Sequence, residues 1–529
     1  MSESMPPFVQ FRLWLRDGPV GERVLGAFIG VVVLGLVVLG LVPVHRHERN
    51  GVGVRAGAAG ASSAASVGEA GAPATGAAPG AAGESGGAAA TGAAGSGGTG
   101  APRSTSNGGS ARGRGASSAA ASAGAAANGC TGTKSSSPGV TPSEVKLVTT
   151  NLSLAGPIGN STFDVRPDLQ AIAKALADDL NQSGGVACGR KVALKQYDVN
   201  PLDPNDSQAK CLQAIQDTPL LVIDFGGYLT PASRQCFAQA KVPLVTATAF
   251  SAPEVKASSP YLFGPRNQTQ EQARNGIFGL RDRGFLGAPA FKKLGLFEDA
   301  CDPGVNREID ADLAAVGVKP GQVSKFVLTC DIASPPNQIT QAVLQHKLDG
   351  ATHVFFATST TNDQNYVRIA VGQSFRPAYG TSDYGEGLTQ AGGQNWDASF
   401  DGATGITSER VGEFNSGIAN AERDACDKTV KRHGVPGYTS EKKDTALVAY
   451  CDLFSFFRAT LDQAGANPTR ATLAAAVSKI GLFKSANVGD GTFNRPGKMT
   501  GGDFQRPARW HADCQCWKIL DPAYRPAYT

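Results

Sequence analysis

Ten cysteines and six histidines are the side chains of this 529-residue chain with the widest chemical repertoire. The cysteines are Cys130, Cys188, Cys211, Cys236, Cys301, Cys330, Cys426, Cys451, Cys514 and Cys516, so every one lies after residue 129. None falls into a Cys-x-x-Cys pair or a Cys/His set with metal-ligand spacing, and no metal site is expected. An even number of such thiols reads as disulfides formed in an oxidising compartment; the competing reading is a set of buried free thiols. His45, His47, His346, His353, His433 and His511 are scattered, without a cysteine or carboxylate at ligand spacing, which is the pattern of packed or surface histidines rather than catalysts. The sequence has no HExxH, no Walker loop and no G-x-S-x-G. Neither an enzyme activity nor a cofactor is expected.

The formal net charge of +4 is small for this length, and no basic stripe appears, which argues against a nucleic-acid partner. Residues 24–44, "VLGAFIGVVVLGLVVLGLVPV", form a run of 21 uncharged residues. As a helix it would span about 31 Å, matching a bilayer core of roughly 30 Å. The run is expected to be a transmembrane anchor. A cleaved signal peptide, the competing reading, has a shorter apolar region and a small-x-small site, and none follows Pro43. Flanking charges (Arg12, Arg16 and Arg23 against His45, Arg46, His47, Arg49 and Arg55) do not set the orientation, whereas the cysteines put the C-terminal part outside the cytoplasm. Residues 1–23 would then be a short cytoplasmic N-terminus. Residues 45–142 are rich in Gly, Ala and Ser and almost free of aromatic or branched apolar side chains, so they cannot repay the entropy of ordering and are expected to be a disordered linker. Such a coil reaches on the order of 50 Å. The "GVGVRAG" within it has no strand before it and is read as linker, not as a dinucleotide loop.

From residue 143 to 529 apolar strands alternate with amphipathic helices. "VKLVTTNL", "VALKQYDV", "LLVIDFG" and "VPLVTAT" read as strands. Leu169, Ile172, Ala173, Leu176 and Leu180 recur at helical spacing, and Asn205 or Asp206 is expected to cap the next helix. A second series carries "KLGLFEDA", "KFVLTCD" and "HVFFATS", with Ile339, Val343, Leu344 and Leu348 on a helix between the last two. Three helical stretches and a short β tail follow. The pattern predicts an α/β protein of two lobes, each a doubly wound parallel sheet, with the chain crossing between them more than once. A ligand would sit between the lobes at the carboxyl ends of the strands.

The order "VKLVTTNLSLAGPIGN", "ALADDLNQSGGVACGRKVALKQYDVNPLDPNDSQAKCLQAI" and "QAKVPLVTATAF" resembles the leucine/isoleucine/valine-binding type of periplasmic substrate-binding protein over essentially residues 143–520. The resemblance implies a two-lobed type I periplasmic-binding-protein fold that closes on a small polar solute, such as an amino acid or amide. It also implies delivery to the permease subunits of an ABC importer. By the same resemblance Asn160 and Ser161 lie above the solute, and Gly227, Tyr228, Thr246 and Thr248 line it from the first lobe. Thr360 and Asp383 approach from the second, with Asp383 where the family carries its ammonium-binding acid and Tyr384 walling the pocket. Gly226, Gly227 and Tyr228 stand where amino-acid binders commonly show a Ser-rich turn, which implies a larger or more polar solute. Proximity within this fold pairs Cys301 with Cys330, Cys211 with Cys236, and Cys426 with Cys451. The pairing of Cys130, Cys188, Cys514 and Cys516 stays open, with a Cys514–Cys516 bond expected to be strained on a strand. The alternatives are an extracellular sensor working with a partner protein and a surface scaffold on the same fold.

Overall fold

The computed structural model describes residue 130 and residues 134–152, 166–200, 203–225, 229–287, 289–330, 334–389 and 395–528. The expected N-terminus and membrane helix, most of the linker, Asn160, Ser161, Gly227 and Tyr228 lie outside the described residues. Among the described residues no helix is long and apolar enough to cross a membrane.

The first lobe is built on β1 (Glu144–Leu152), β2 (Lys191–Val199), β3 (Leu221–Asp224), β4 (Leu244–Thr246) and β5 (Leu262–Phe263), all parallel in the order β2-β1-β3-β4-β5. Its connections are α1 (Leu169–Gln182), α2 (Pro204–Gln216), α3 (Pro231–Gln239) and α4 (Ala252–Ser258). Every residue of β3 and β4 is buried, as strands covered on both faces must be. Three of the helices start from one local device. Asp203, Thr230 and Ser251 are N-caps whose side chains accept from Asn205, Ser233 and Glu254 backbone N–H groups, each with a proline in the first two helical positions. Asp203 thus replaces the expected Asn205 or Asp206 as cap of α2, because Pro204 fixes the first helical position just after it.

The second lobe carries β6 (Leu294–Asp299), β7 (Val323–Leu328), β8 (His353–Ala357), β9 (Ala378–Ser382) and β10 (Thr404–Thr407), parallel in the order β10-β9-β8-β6-β7. Around it lie α5 (Thr269–Asp282), α6 (Pro303–Ala315), α7 (Pro336–Leu348) and α8 (Thr360–Gly372). Gly276 and Gly279 let α5 lie against the sheet: a Cβ there would come within 2.7 Å of Ser382 Cβ and 2.8 Å of Ile406 Cγ1. His346 is one of the packed histidines, fully buried with Nδ1 2.7 Å from the Tyr366 hydroxyl.

The chain then returns. Helices α9 (Ala421–Arg432), α10 (Glu441–Ala464) and α11 (Arg470–Val477) bury Val430, Leu447, Tyr450, Phe457 and Leu473 in the first lobe's core with Leu147, Leu176 and Leu221. A short antiparallel pair, β11 (Leu482–Phe483) and β12 (Thr492–Phe493), precedes β13 (Phe504–His511) and β14 (Cys516–Ile519), which add to the second sheet antiparallel to β10. Three segments therefore cross between the lobes, near residues 264–268, 408–420 and 494–503.

All three expected disulfides are present, joined by Cys130–Cys188 and Cys514–Cys516. The expectation of strain between Cys514 and Cys516 placed both on a strand. Instead Cys514 and Gln515 make the turn between β13 and β14, with Gln515 at φ +48° and the two Cα atoms 5.2 Å apart.

Residues 134–142, at the end of the expected linker, pack on the first lobe, and Arg190 ties them there. Its guanidinium is fully buried and donates to the carbonyls of Thr141 (2.7 Å), Ala187 (2.7 Å), Ala466 (2.6 Å) and Ser135 (3.2 Å). The forked geometry of arginine reaches all four acceptors, and a single ammonium cannot. Arg190→Lys is therefore expected to destabilise the protein by about 2–4 kcal/mol through carbonyls left unpaired, read as a shifted midpoint in urea unfolding.

Candidate functional site

The carboxyl ends of the two parallel sheets meet the crossovers, the edge at which open α/β sheets bind ligands. On the first lobe the described residues of this edge are polar and bond to one another. Asp224, ending β3, accepts a 2.7 Å bond from the Thr150 hydroxyl of β1, and burial pushes its carboxyl up to about 6. Phe225, the next residue, stacks on Tyr450 of α10 at 4.3 Å between ring centroids. Tyr450 donates its hydroxyl to Asn151 Oδ1 at the end of β1. Thr246, fully buried at the end of β4, accepts a 3.2 Å bond from the backbone N–H of Thr248, which is itself half-buried.

On the second lobe the same edge gathers carboxylates. Glu298 and Asp299 end β6, Asp363 stands in the first turn of α8, and Asp383 and Glu386 follow β9. Burial pushes Glu298 up to about 7, against the pull of Lys325 at 3.0 Å. Burial also holds Asp363 well above the usual range, although Thr358 donates to it at 2.6 Å. The turn carrying Glu386 presses on β8. Gly385 (φ +64°) leaves no room for a side chain, since a Cβ would fall 1.7 Å from the Thr358 carbonyl oxygen, and Glu386 itself sits at φ +65°.

Arg266, in the first crossover, joins these sets. It is 7% exposed. Its Nη1 donates to the Ala247 carbonyl between Thr246 and Thr248 at 3.3 Å and to Glu386 Oε1 at 2.5 Å, and its Nη2 reaches Glu386 Oε2 at 3.2 Å and also Glu409. Burial opposes the guanidinium's charge, but Glu386 and Glu409 outweigh it and the proton is held more firmly than usual. Glu409, buried in the second crossover, is raised above the ordinary carboxyl range by that burial, and it also accepts from Asn487 Nδ2 at 3.2 Å.

Of the residues that the resemblance pointed to, Asp383 is 5% exposed and accepts from the backbone N–H (2.7 Å) and hydroxyl (2.8 Å) of Ser408. Its carboxylate is committed to the second crossover rather than presented to open solvent. Thr360 is bonded to the turn after it, donating to the carbonyls of Gly385 (2.9 Å) and Glu386 (2.5 Å). Tyr384 is buried in the second lobe's core with Ile277, Leu296 and Leu313. The residue that sequence reasoning missed is Arg266. Its signal, "FGPRNQ" between a strand and a helix, marks it as a crossover residue only once the topology is known.

Solved structures share this architecture. A possible leucine/isoleucine/valine-binding protein from Rhodopirellula baltica SH 1 superposes with a TM-score of 0.54 at 14% identity, over 73% of this chain and 98% of its own. A fatty acid ABC transporter substrate-binding protein from Thermomonospora curvata gives 0.53 at 16% identity over 74% and 94%. The solute-binding protein of an ABC transporter from Rhodopseudomonas palustris BisB5, in complex with 3,4-dihydroxybenzoic acid, gives 0.54 at 14% identity over 73% and 98%. The fold is the type I periplasmic binding fold, and these neighbours are substrate-binding proteins rather than enzymes. No family model and no curated protein matches the sequence.

The buried acids set a pH dependence. Asp224, Glu298, Glu441 and Asp452 have folded-state pKa values of about 6, 7, 7 and 6, all raised by burial from 3.8 or 4.5. Between about pH 4 and 7 the folded protein then binds more protons than the unfolded chain, so stability falls as pH rises. His346, lowered to about 4 by burial, and His353, which burial also shifts downward, act in the opposite sense below about 6.5, but the acids outnumber them. The lowered carboxyls Asp217, Asp282 and Asp521 titrate beneath this window. The melting temperature is expected to be higher at pH 5 than at pH 8, and Glu298→Gln should flatten the profile between pH 5 and 7. A melting temperature that rises from pH 5 to 8 would contradict this.

Proposed function

We propose that the chain is an extracytoplasmic solute-binding protein, held to the cell membrane by residues 24–44 and a linker, that captures a small polar solute between its lobes and delivers it to an ABC importer. The observation that carries this reading is Arg266, which bonds the strand-end edge of the first lobe and that of the second from within a crossover. A solute touching both edges would favour the closed arrangement over the open one, and that difference in affinity is the driving force for closure. A small organic solute with a polar end is in keeping with the solutes printed for the structural neighbours, branched-chain amino acids, fatty acids and 3,4-dihydroxybenzoic acid. Five disulfides support residence outside the cytoplasm.

The test is a thermal-shift screen of the purified full-length chain against amino acids, amides, organic acids, amines and neutral sugars. One chemical class is expected to raise the melting temperature saturably, by an amount that grows with the logarithm of ligand concentration above Kd. If no class does so, the reading is wrong. The compartment has its own measurement: protein alkylated in its native membrane and analysed by intact mass should show no free thiol, and ten alkylated thiols would place the domain in a reducing compartment.

A further inference from the structure

Arg266 and Glu386 are an unequal pair. The guanidinium is 7% exposed, whereas the Glu386 side chain that grips it is 48% exposed. Both Glu386 oxygens are used, one on each terminal nitrogen, the two-pronged geometry in which arginine recognises any free carboxylate. Among the described residues the buried Nε of Arg266 has no hydrogen-bond partner, so the guanidinium still has a donor to offer. Glu386 reaches its position from an uncomfortable backbone, a non-glycine residue at φ +65° directly after Gly385 at +64°. By contrast Glu409 is itself only 7% exposed and is fixed by Asn487 as well as by Arg266.

We propose that Glu386 stands in the place of a solute carboxylate: an acid entering the cleft displaces the Glu386 side chain and takes over its two-pronged pairing with Arg266, while Glu409 keeps its own bond. This inference rests on the solute-binding reading and narrows it to solutes bearing a carboxylate. The exchange leaves the charge around Arg266 unchanged, because one carboxylate departs as another arrives. It moves Glu386 from a pairing that constrains its backbone into water, where its half-exposed side chain already reaches. The incoming group would lie beside the Ala247 carbonyl of the first lobe and the Gly385–Glu386 turn of the second, so the same guanidinium senses the solute and bridges the lobes. Empty, the protein would hold its own weak competitor, which lowers the apparent affinity by the fraction of molecules with the site free.

The experiment compares acid and amide pairs (benzoate and benzamide, L-leucine and L-leucinamide, hexanoate and hexanamide) by isothermal titration with the full-length wild type, Glu386→Gln, Glu386→Gly and Arg266→Gln. Amines and neutral sugars are included as further probes. The expected result is that at least one acid binds while its amide does not. Both Glu386 variants should bind that acid about tenfold tighter than wild type, or bind it where wild type shows nothing. Arg266→Gln should lose it. Glu386→Gly keeps the test valid if Arg266→Gln does not fold, since glycine accepts the positive φ. A merely structural Arg266–Glu386 clamp would instead leave affinity unchanged or weakened in the Glu386 variants. Binding of solutes without preference for the acid, or only of amines or sugars, overturns this inference and leaves solute binding intact. Binding of nothing, by wild type and both Glu386 variants, overturns both.

Discussion

A positive charge buried where chain segments cross needs counter-charges, and for Arg266 these come from residues more than a hundred positions away along the sequence. Glu386 follows β9, Glu409 lies in the second crossover, and the Ala247 carbonyl belongs to the first lobe. Leaving such a guanidinium unpaired would cost several kcal/mol, about 3–5 when one partner of a buried pair is removed, so the crossovers are held together as a unit. The third crossing is joined to the first through the backbone, Gly264 N–H donating to Met499 O and Gly501 N–H to Arg266 O, while Gly489, between β11 and β12, donates its N–H to Ser408 O of the second. Around this knot each lobe can remain a closed, well-packed body.

The two lobes solve the problem of covering a parallel sheet differently. The second uses helices local to it in sequence, with two glycines letting α5 approach, and finishes its edge with the antiparallel β13 and β14. The first borrows α9, α10 and α11 from the far end of the chain, and Arg190 fastens both the start of the domain and the end of α10 to it. Carboxylates crowd the second lobe's strand ends, which keeps that edge hydrophilic while much of it is inaccessible to water. Their raised proton affinity is the electrostatic consequence of that crowding and burial.

The architecture was legible in the sequence because it rests on periodicity and on turn chemistry, both local. Alternation of apolar runs with helical patterns located the strands, and the resemblance supplied three cysteine pairs that the structure joins. The candidate site was less legible. Asp383 has the right chemistry and the right place along the chain, yet Ser408, a residue of another segment, takes its carboxylate. Tyr384 follows it but turns into a core whose other members come from α5 and β6. Arg266 carried little local signal: an arginine between a strand and a helix is ordinary until the fold puts Glu386 and Glu409 beside it. The cap of α2 was misplaced for a smaller reason, that a proline at the first helical position outranks the better-known capping residues downstream.

The return of α9–α11 to the first lobe also orders events as the chain is made. Leu147, Leu176 and Leu221 belong to a core that is complete only when Leu473 and Val477 have joined it. The second lobe's β6–β10 and α5–α8 are synthesised in the interval and carry most of what their own core needs. The lobe that begins first is therefore completed only after most of the second has been made, and its core joins residues far apart along the chain, contacts that carry a loop-closure cost in entropy.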